Sequence, residues 1–461
     1  MMRTVALAVA GWFLVAGGAA AQPVPAIPAI PVPLPGELAD PTGLPGGAAV
    51  SRPLQPVEAV PEPPRAKAEP PQPVPPRPPE PPWPVVEDPG AEPDRDPGPR
   101  KILGGTWGSD EILFWWAKGH PVPALVTGGR DGPPALGRPG TTVLLGNRPI
   151  ETPDAAGYRL THGFSLDRGD RVGFEGTYFF LGSRTVSDFA TNVTNPRFPY
   201  IGLPFVNAQT GLEDVLTLAR PGQSDALAHL YTTTRVQGAE ANLIGNLVAR
   251  PGVKVNAIAG YRFLQVNEGL RVETRWMQYP TAESGYFRTL GMTADQFDGR
   301  NEFHGGQLGL SGDFHRGPFY VEVVGKVAFG TNFQVVNVSG ETHLITAANP
   351  APVFRSYFGG VYSQPTNLGR VTQTVFAVVP EGTLKVGLKT GERGRFYVGY
   401  NFLYMNTAVR PGDQIDRTVN PSLISSLNPG GPFLGPDRPR LAVSTTDFWV
   451  QGLVIGFEHR F

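Results

Sequence analysis

The sequence predicts an all-β protein: an antiparallel transmembrane β-barrel of roughly 12–14 strands, preceded by a disordered proline-rich segment. Three observations carry that expectation. An export signal opens the chain, strand-length segments alternate apolar and polar residues from Trp107 onward, and the last of them places its apolar residues in phase with Phe461.

Composition narrows the class first. Of 461 residues, 58 are Gly and 51 are Pro, and charged residues make up 17%, against roughly 25% in soluble domains. A formal charge of −1 offers no basic surface to a nucleic acid. Cysteine is absent, which removes disulfide frameworks, thiolate metal sites and thiol catalysis. That also suits an oxidising periplasm, where a stray thiol is a liability.

Residues 1–21 read as a signal peptide. Arg3 gives the positive start, Val5 to Val15 the apolar run, and Ala19-Ala20-Ala21 the cleavage pattern before Gln22. The run is too short to cross a ~30 Å hydrocarbon core as a helix, and no later segment reaches ~18 consecutive apolar residues. No Cys follows the cleavage pattern to carry a lipid anchor. Residues 22–100 hold more than half of the prolines, in pairs such as Pro63-Pro64 and Pro81-Pro82. A segment with so few apolar groups stays extended, largely as polyproline II. It reads either as a periplasmic tether, with peptidoglycan as a partner, or as a plain disordered lead.

Residues 101–461 read as the barrel. Tyr158, Leu160, Phe164 and Leu166 share a face, and Asp167-Arg168-Gly169-Asp170 turns the chain. The return strand puts Val172, Phe174, Tyr178 and Phe180 on one side and Arg171, Glu175 and Thr177 on the other. The same alternation recurs over 253–263, 319–329, 383–389 and 396–404. Each strand is expected to have the ~9–11 residues of a tilted transmembrane strand. Tight turns at Asp167–Asp170 and Gly391–Gly394 contrast with expected long loops near 183–228, 274–298 and 407–445, the unequal ends of a barrel.

Alternation assigns faces. Glu240, Asn242, Lys254, Arg262, Glu322, Lys326, Thr383 and Lys385 are expected to face a watered lumen, with Val321, Val323, Leu384 and Val386 toward lipid. In such a lumen a charge reversal at Lys385 tunes ion selectivity and leaves stability nearly untouched. Leu453, Ile455, Phe457 and Phe461 lie on one face of the last strand, and Phe457 and Phe461 read as the signal for the barrel-assembly machinery.

Catalytic signatures are missing: no Gly-x-Ser-x-Gly, P-loop or His-Glu-x-x-His is present. The seven histidines are scattered, none pairing with another at ligand spacing. His162 and Ser165 fall on opposite faces of one strand. Arg410, Asp413, Asp416 and Arg417 read as a self-neutralising loop brace around a Pro-Gly-Asp turn, with ion binding or a constriction as the alternative. Asp295, Asp298, Asn301 and Glu302 lack calcium-loop spacing and read as a solvated loop. The expectation is therefore a non-enzyme without cofactor or metal.

Several segments resemble one family. They include Glu111-Ile112-Leu113-Phe114-Trp115-Trp116, Gly238-Ala239-Glu240-Ala241-Asn242 and Gly260-Tyr261-Arg262-Phe263-Leu264. Asn301-Glu302-Phe303-His304-Gly305-Gly306-Gln307 and Gly399-Tyr400-Asn401-Phe402-Leu403-Tyr404 continue the series. The strongest is Val409-Arg410-Pro411-Gly412-Asp413-Gln414-Ile415-Asp416-Arg417. The chain from about 107 to 461 thus resembles the type-seven outer-membrane β-barrel porins of planctomycetes and related bacteria. The resemblance implies location and architecture more than cargo.

Two functions from different classes follow. The expected one is a porin passing small hydrophilic solutes by diffusion. The alternative is a plugged barrel that anchors or decorates the envelope. Outer-membrane lipid is the expected surround in both. A secreted β-sandwich is the third reading.

Overall fold

The computed structural model describes residues 105–461, apart from 168, 281–287, 349–350 and 392. The signal-peptide and proline-rich assignments, residues 1–21 and 22–100, lie outside the described residues.

The strands in chain order are β1 (Thr106–Ala117), β2 (Val126–Gly129), β3 (Thr141–Leu145), β4 (Ala155–Ser165), β5 (Val172–Leu181) and β6 (Arg184–Thr191). Next come β7 (Tyr200–Asn207), β8 (Glu213–Ala219), β9 (Ser224–Arg250), β10 (Val253–Gln278), β11 (Thr289–Arg316) and β12 (Phe319–Thr346). The last are β13 (Val353–Phe358), β14 (Gly369–Lys389), β15 (Gly394–Val409), β16 (Thr418–Val419) and β17 (Thr445–Arg460).

A 12-stranded antiparallel sheet closes on itself. β1 pairs with β17 from Trp107↔Arg460 to Ala117↔Val450, and β9 pairs with β10 over their whole lengths. Two members are continuations rather than turns of the ring. β6 extends the line of β5 along β9, and β13 extends β14 along β12. The remaining ten close the barrel. Its tight ends are two-residue connections, Pro251-Gly252 and Gly317-Pro318, whose glycines hold φ of 79° and 62° as sharp hairpins demand.

The tall strands depart from expectation. β9, β10, β11 and β12 run 27, 26, 28 and 28 residues. At ~3.3 Å per residue the longest extends about 90 Å, well past a ~30 Å hydrocarbon core even when tilted. Much of what reads as long loop near 274–298 is therefore strand, with β10 continuing to Gln278 and β11 resuming at Thr289. The four residues read as a solvated loop sit within β11. Asp295 and Asn301 are buried on its inner face, while Asp298 and Glu302 point outward.

Along each tall strand the polarity of the two faces inverts. The outward residues of β10 run Val253, Val255, Ala257, Ala259, Tyr261, Phe263, then Gln265, Asn267, Gly269, Arg271, Glu273, Arg275. Its inward residues begin Lys254, Asn256 and Arg262, then become Leu264, Val266, Leu270 and Val272. β12 repeats the change, from Val321, Val323, Val327 and Phe329 outside to Asn337, Ser339 and Glu341. Near the turns the wall is apolar outside, as lipid requires. Farther up it is polar outside and apolar inside, the arrangement of a water-soluble sheet.

That upper interior needs a partner, and a second sheet supplies it. β16, β7, β2 and β3 lie in that order, with β8 on β7. Val126, Leu145, Ile201, Leu203, Phe205, Leu216 and Leu218 pack with Leu270, Val272, Phe297, Val336 and Val338 of the wall. Full burial of one such side chain is worth about 1.5–3 kcal/mol. The segment 183–228, expected as loop, is thus mostly β6, β7, β8 and the start of β9.

Candidate functional site

The barrel interior is where function would reside, and it is layered. Nearest the short turns lies a cavity of about 330 Å³ lined by Lys254, Asp313, Glu322, Arg395, Glu458 and Arg460. Arg395 Nη1 donates to Asp313 at 2.7 Å and its guanidinium stacks over Tyr320 at 4.9 Å.

The next layer is ion-paired. Arg262 from β10 donates to Glu240 on β9 at 2.6 Å and to Glu381 on β14. Lys326 from β12 bridges the same two carboxylates at 2.8 and 3.2 Å. Arg159 of β4 reaches Glu111 at 3.3 Å and Glu381 at 3.7 Å, and Lys385 reaches Glu111 at 3.0 Å and Glu322 at 3.8 Å. Since β4 and β14 are separated by β15, β17 and β1 one way round the ring and by five strands the other, the Arg159–Glu381 contact crosses the lumen. Neutral groups fill the gaps. Gln307 donates to Glu240 and Asn242 at 2.8 and 2.5 Å, and Asn401 to Glu381 and Thr383 at 2.8 and 2.6 Å.

Above the charges the interior is apolar. Leu113, Trp115, Phe179, Leu264, Phe303 and Phe448 meet there, each buried. A barrel of ~8 strands has room for little besides its own side chains, whereas aqueous porins use ~16–18. Ten strands with this filling lie near the first case.

All eight residues expected in the lumen point inward; all but Arg262 line the cavity, and all but Lys254 are also tied into the polar network that forms its roof. Lys385 is therefore no free wall charge, and its reversal would face Glu111 and Glu322 without a cation between them. Sequence reading missed Glu111, Arg159 and Glu381 as members. Each sits at an inward position of an alternating strand, a signal that was available.

The loop brace holds differently from the expectation. Its charges do not neutralise one another. Arg410 is fully buried and grips Glu268 of β10 in a bidentate pair at 2.8 and 2.7 Å. It also donates to the carbonyls of Gly119 and Lys118 at 2.8 and 2.9 Å. Arg417 pairs with Glu213 of β8 at 2.8 Å, and Asp416 with Arg438 at 2.8 Å. Asp413 is left half-buried, and burial pushes its carboxyl up while Arg410 opposes that. The segment ties the wall to the inner sheet through partners 142 and 204 residues away. Asp295 adds a second tie. Its carboxylate accepts from the N–H groups of Val361, Tyr362 and Ser363 at 2.9, 2.9 and 2.7 Å and from Ser363 Oγ at 2.6 Å. The loop 359–368 is thereby drawn inward, and Tyr362 donates to Leu125 O and Pro204 O at 3.0 Å.

His120 sits beside this tie, with Nε2 2.6 Å from Thr234 Oγ1 and 3.7 Å from Glu268. Burial lowers its pKa below 6.5; Glu268 opposes the shift and Arg410 adds to it. The unfolded segment then binds the proton more readily than the folded one. Stability is complete above pH ~6.5 and falls as the pH drops through the folded pKa. Relative to an unfolded control peptide digested in parallel, trypsin should accordingly cut the inner-sheet segments faster at pH 5 than at pH 7.5, and His120→Gln should flatten that dependence. Equal rates at both pH values would contradict the assignment.

Phe457 and Phe461 both lie on the outer face, exposed at the short-turn end.

A family model described as "Putative beta barrel porin-7" matches residues 107–461. Among solved structures, the outer membrane protease OmpT from Escherichia coli is similar at 9% identity, covering 77% of this chain and 97% of that one, with TM-score 0.36. A Pseudomonas aeruginosa FadL homologue is similar at 9% identity, covering 77% and 90%, with TM-score 0.20. TM-scores this low lend no argument about fold or activity. Among curated proteins none matches.

Proposed function

The chain belongs to the β-barrel porin-7 family, and we propose that it is an outer-membrane barrel with a closed lumen that acts through the structure it holds outside the membrane. The observation that carries this reading is the stacking of an ion-paired layer, an apolar layer and an inner sheet within one ten-stranded wall. The apolar band outside β5, β10, β12, β14 and β15 is its lipid-facing belt, and the polar wall above it stands in water. The role is anchoring or display, without catalysis. Residues 1–21 direct export, and residues 22–100 are the tether through which peptidoglycan contact would be made.

The second reading is a diffusion pore for small hydrophilic solutes. The family description and the polar cavity at the short-turn end favour it. Liposomes carrying the purified full chain separate the two. Swelling in an arabinose gradient should match protein-free vesicles, and swelling at the rate of a general porin would establish the pore.

A further inference from the structure

The polar outer wall carries a groove of about 520 Å³ across β9, β10, β11 and β12, and we propose that it binds a phosphorylated glycan. The inference rests on the reading of that wall as standing in water above the lipid belt.

Strand register builds the groove in three outward rows. Arg235 of β9, Asn267 of β10 and Arg300 of β11 lie side by side. Farther up come Thr233, Gly269 and Asp298, and then Tyr231, Arg271 and Gln296. Gly269 leaves the middle of this grid bare. A Cβ there would meet only Asp298 Oδ1, at 3.1 Å, and Gln296 Nε2, at 3.8 Å, so packing does not demand the glycine and the floor stays open.

Charge and hydrogen bonding point to an anionic sugar. Three arginines line the groove against one outward carboxylate, Asp298, because the Glu268 carboxylate turns inward onto Arg410. Arg300 pairs with Glu302 and Arg271 with Glu273, whereas Arg235 has no ion pair among the described residues. Asn267 Oδ1 is buried without a hydrogen-bond donor. At ~4.8 Å per strand the backbones of Arg235 and Arg300 stand about 10 Å apart, a span two long side chains close around one phosphate. Tyr231, its ring stacked on His229 at 5.7 Å, gives an apolar platform for the C–H face of a sugar. The amides of Asn267 and Gln296 offer donors and acceptors to its hydroxyls.

Depth agrees with that chemistry. Phe263 is the last outward aromatic of the apolar band on β10, and Asn267 lies four residues beyond it. That is ~13 Å along the strand, or about 10 Å above the hydrocarbon at a barrel's tilt, the level of phosphorylated headgroups. The glycan is thus either the headgroup of a surrounding lipid or the same sugar phosphate in solution.

The test titrates the full chain, folded in detergent, with a bisphosphorylated glucosamine disaccharide and follows the heat of binding. One equivalent should bind, more weakly as salt is added, and the unphosphorylated disaccharide should bind about ten- to a hundredfold less tightly. Arg235→Ala and Arg300→Ala should each lose about as much. Gly269→Phe is the sharpest variant, because it keeps every polar group and fills the floor; it should abolish binding. Arg370→Ala, an outward arginine of β14 outside the groove, should bind as the wild type does. Heat-modifiable migration identifies folded samples, and if Arg300→Ala does not fold, Arg235→Ala and Gly269→Phe decide. Lipopolysaccharide in mixed micelles separates the sources: tighter binding than the disaccharide assigns the groove to a membrane headgroup, weaker binding to a soluble glycan. No saturable binding of either probe, equal affinity for the unphosphorylated sugar, or wild-type affinity in folded Gly269→Phe would overturn the proposal. Because the chain has no native cysteine, labelling of Ser339→Cys in intact cells with a membrane-impermeant maleimide tests the position of the wall separately.

Discussion

Arg410→Ala should destabilise the inner sheet by about 3–5 kcal/mol, the cost of leaving a buried partner charge uncompensated. Glu268 would then sit in an apolar core with no cation, and the carbonyls of Lys118 and Gly119 would lose their donor. The wall has its own hydrogen-bonded ladder, so the barrel should still migrate as a folded, heat-modifiable band. Trypsin cleavage within 121–154 and 192–223, the segments of the inner sheet, should rise by orders of magnitude. Arg410→Met with Glu268→Leu should recover most of the loss, because a buried pair exchanged for apolar residues of similar size is often neutral or better. Cleavage unchanged in Arg410→Ala would mean that the apolar contacts alone hold the sheet.

The second large effect contrasts neighbouring residues of β14. Val386 faces outward and is 53% exposed on the apolar band, so Val386→Arg should cost about 2–4 kcal/mol at mid-depth. Lys385→Glu should be at least as damaging, since it sets a third carboxylate against Glu111 and Glu322. Lys254→Glu should change stability little, because Lys254 lines the same cavity without an ion pair among the described residues, whereas Lys385 has two. Urea midpoints of the three variants in lipid give the order. A tolerated Lys385→Glu would restore the watered lumen of the simpler reading.

Much of the barrel was legible in residues 158–180, 253–263, 319–329 and 396–404. There, lipid outside and charge inside impose a clean period of two. Beyond Phe263 the period persists, but its phase of polarity flips. Gln265, Asn267, Arg271 and Glu273 face water on the same strand, and the loop expected near 274–298 begins where that polar stretch runs on to Gln278. The inner sheet was hidden for another reason. Its strands are short, and they are assembled from segments as distant as Val126 and Val419, whose meeting no local pattern announces. The brace shows the same limit. Arg410 and Arg417 stand out locally, but Glu268 and Glu213 are found only through the fold.

Side chains close the lumen, and electrical conductance tests that closure most directly. Full-length protein inserted in a planar bilayer in 1 M KCl should show no stepwise conductance above the lipid background. Arg410→Ala should stay closed too, because the ion-paired and apolar layers lie below the inner sheet. Discrete, ohmic steps from the wild type would contradict the account and make the barrel a pore.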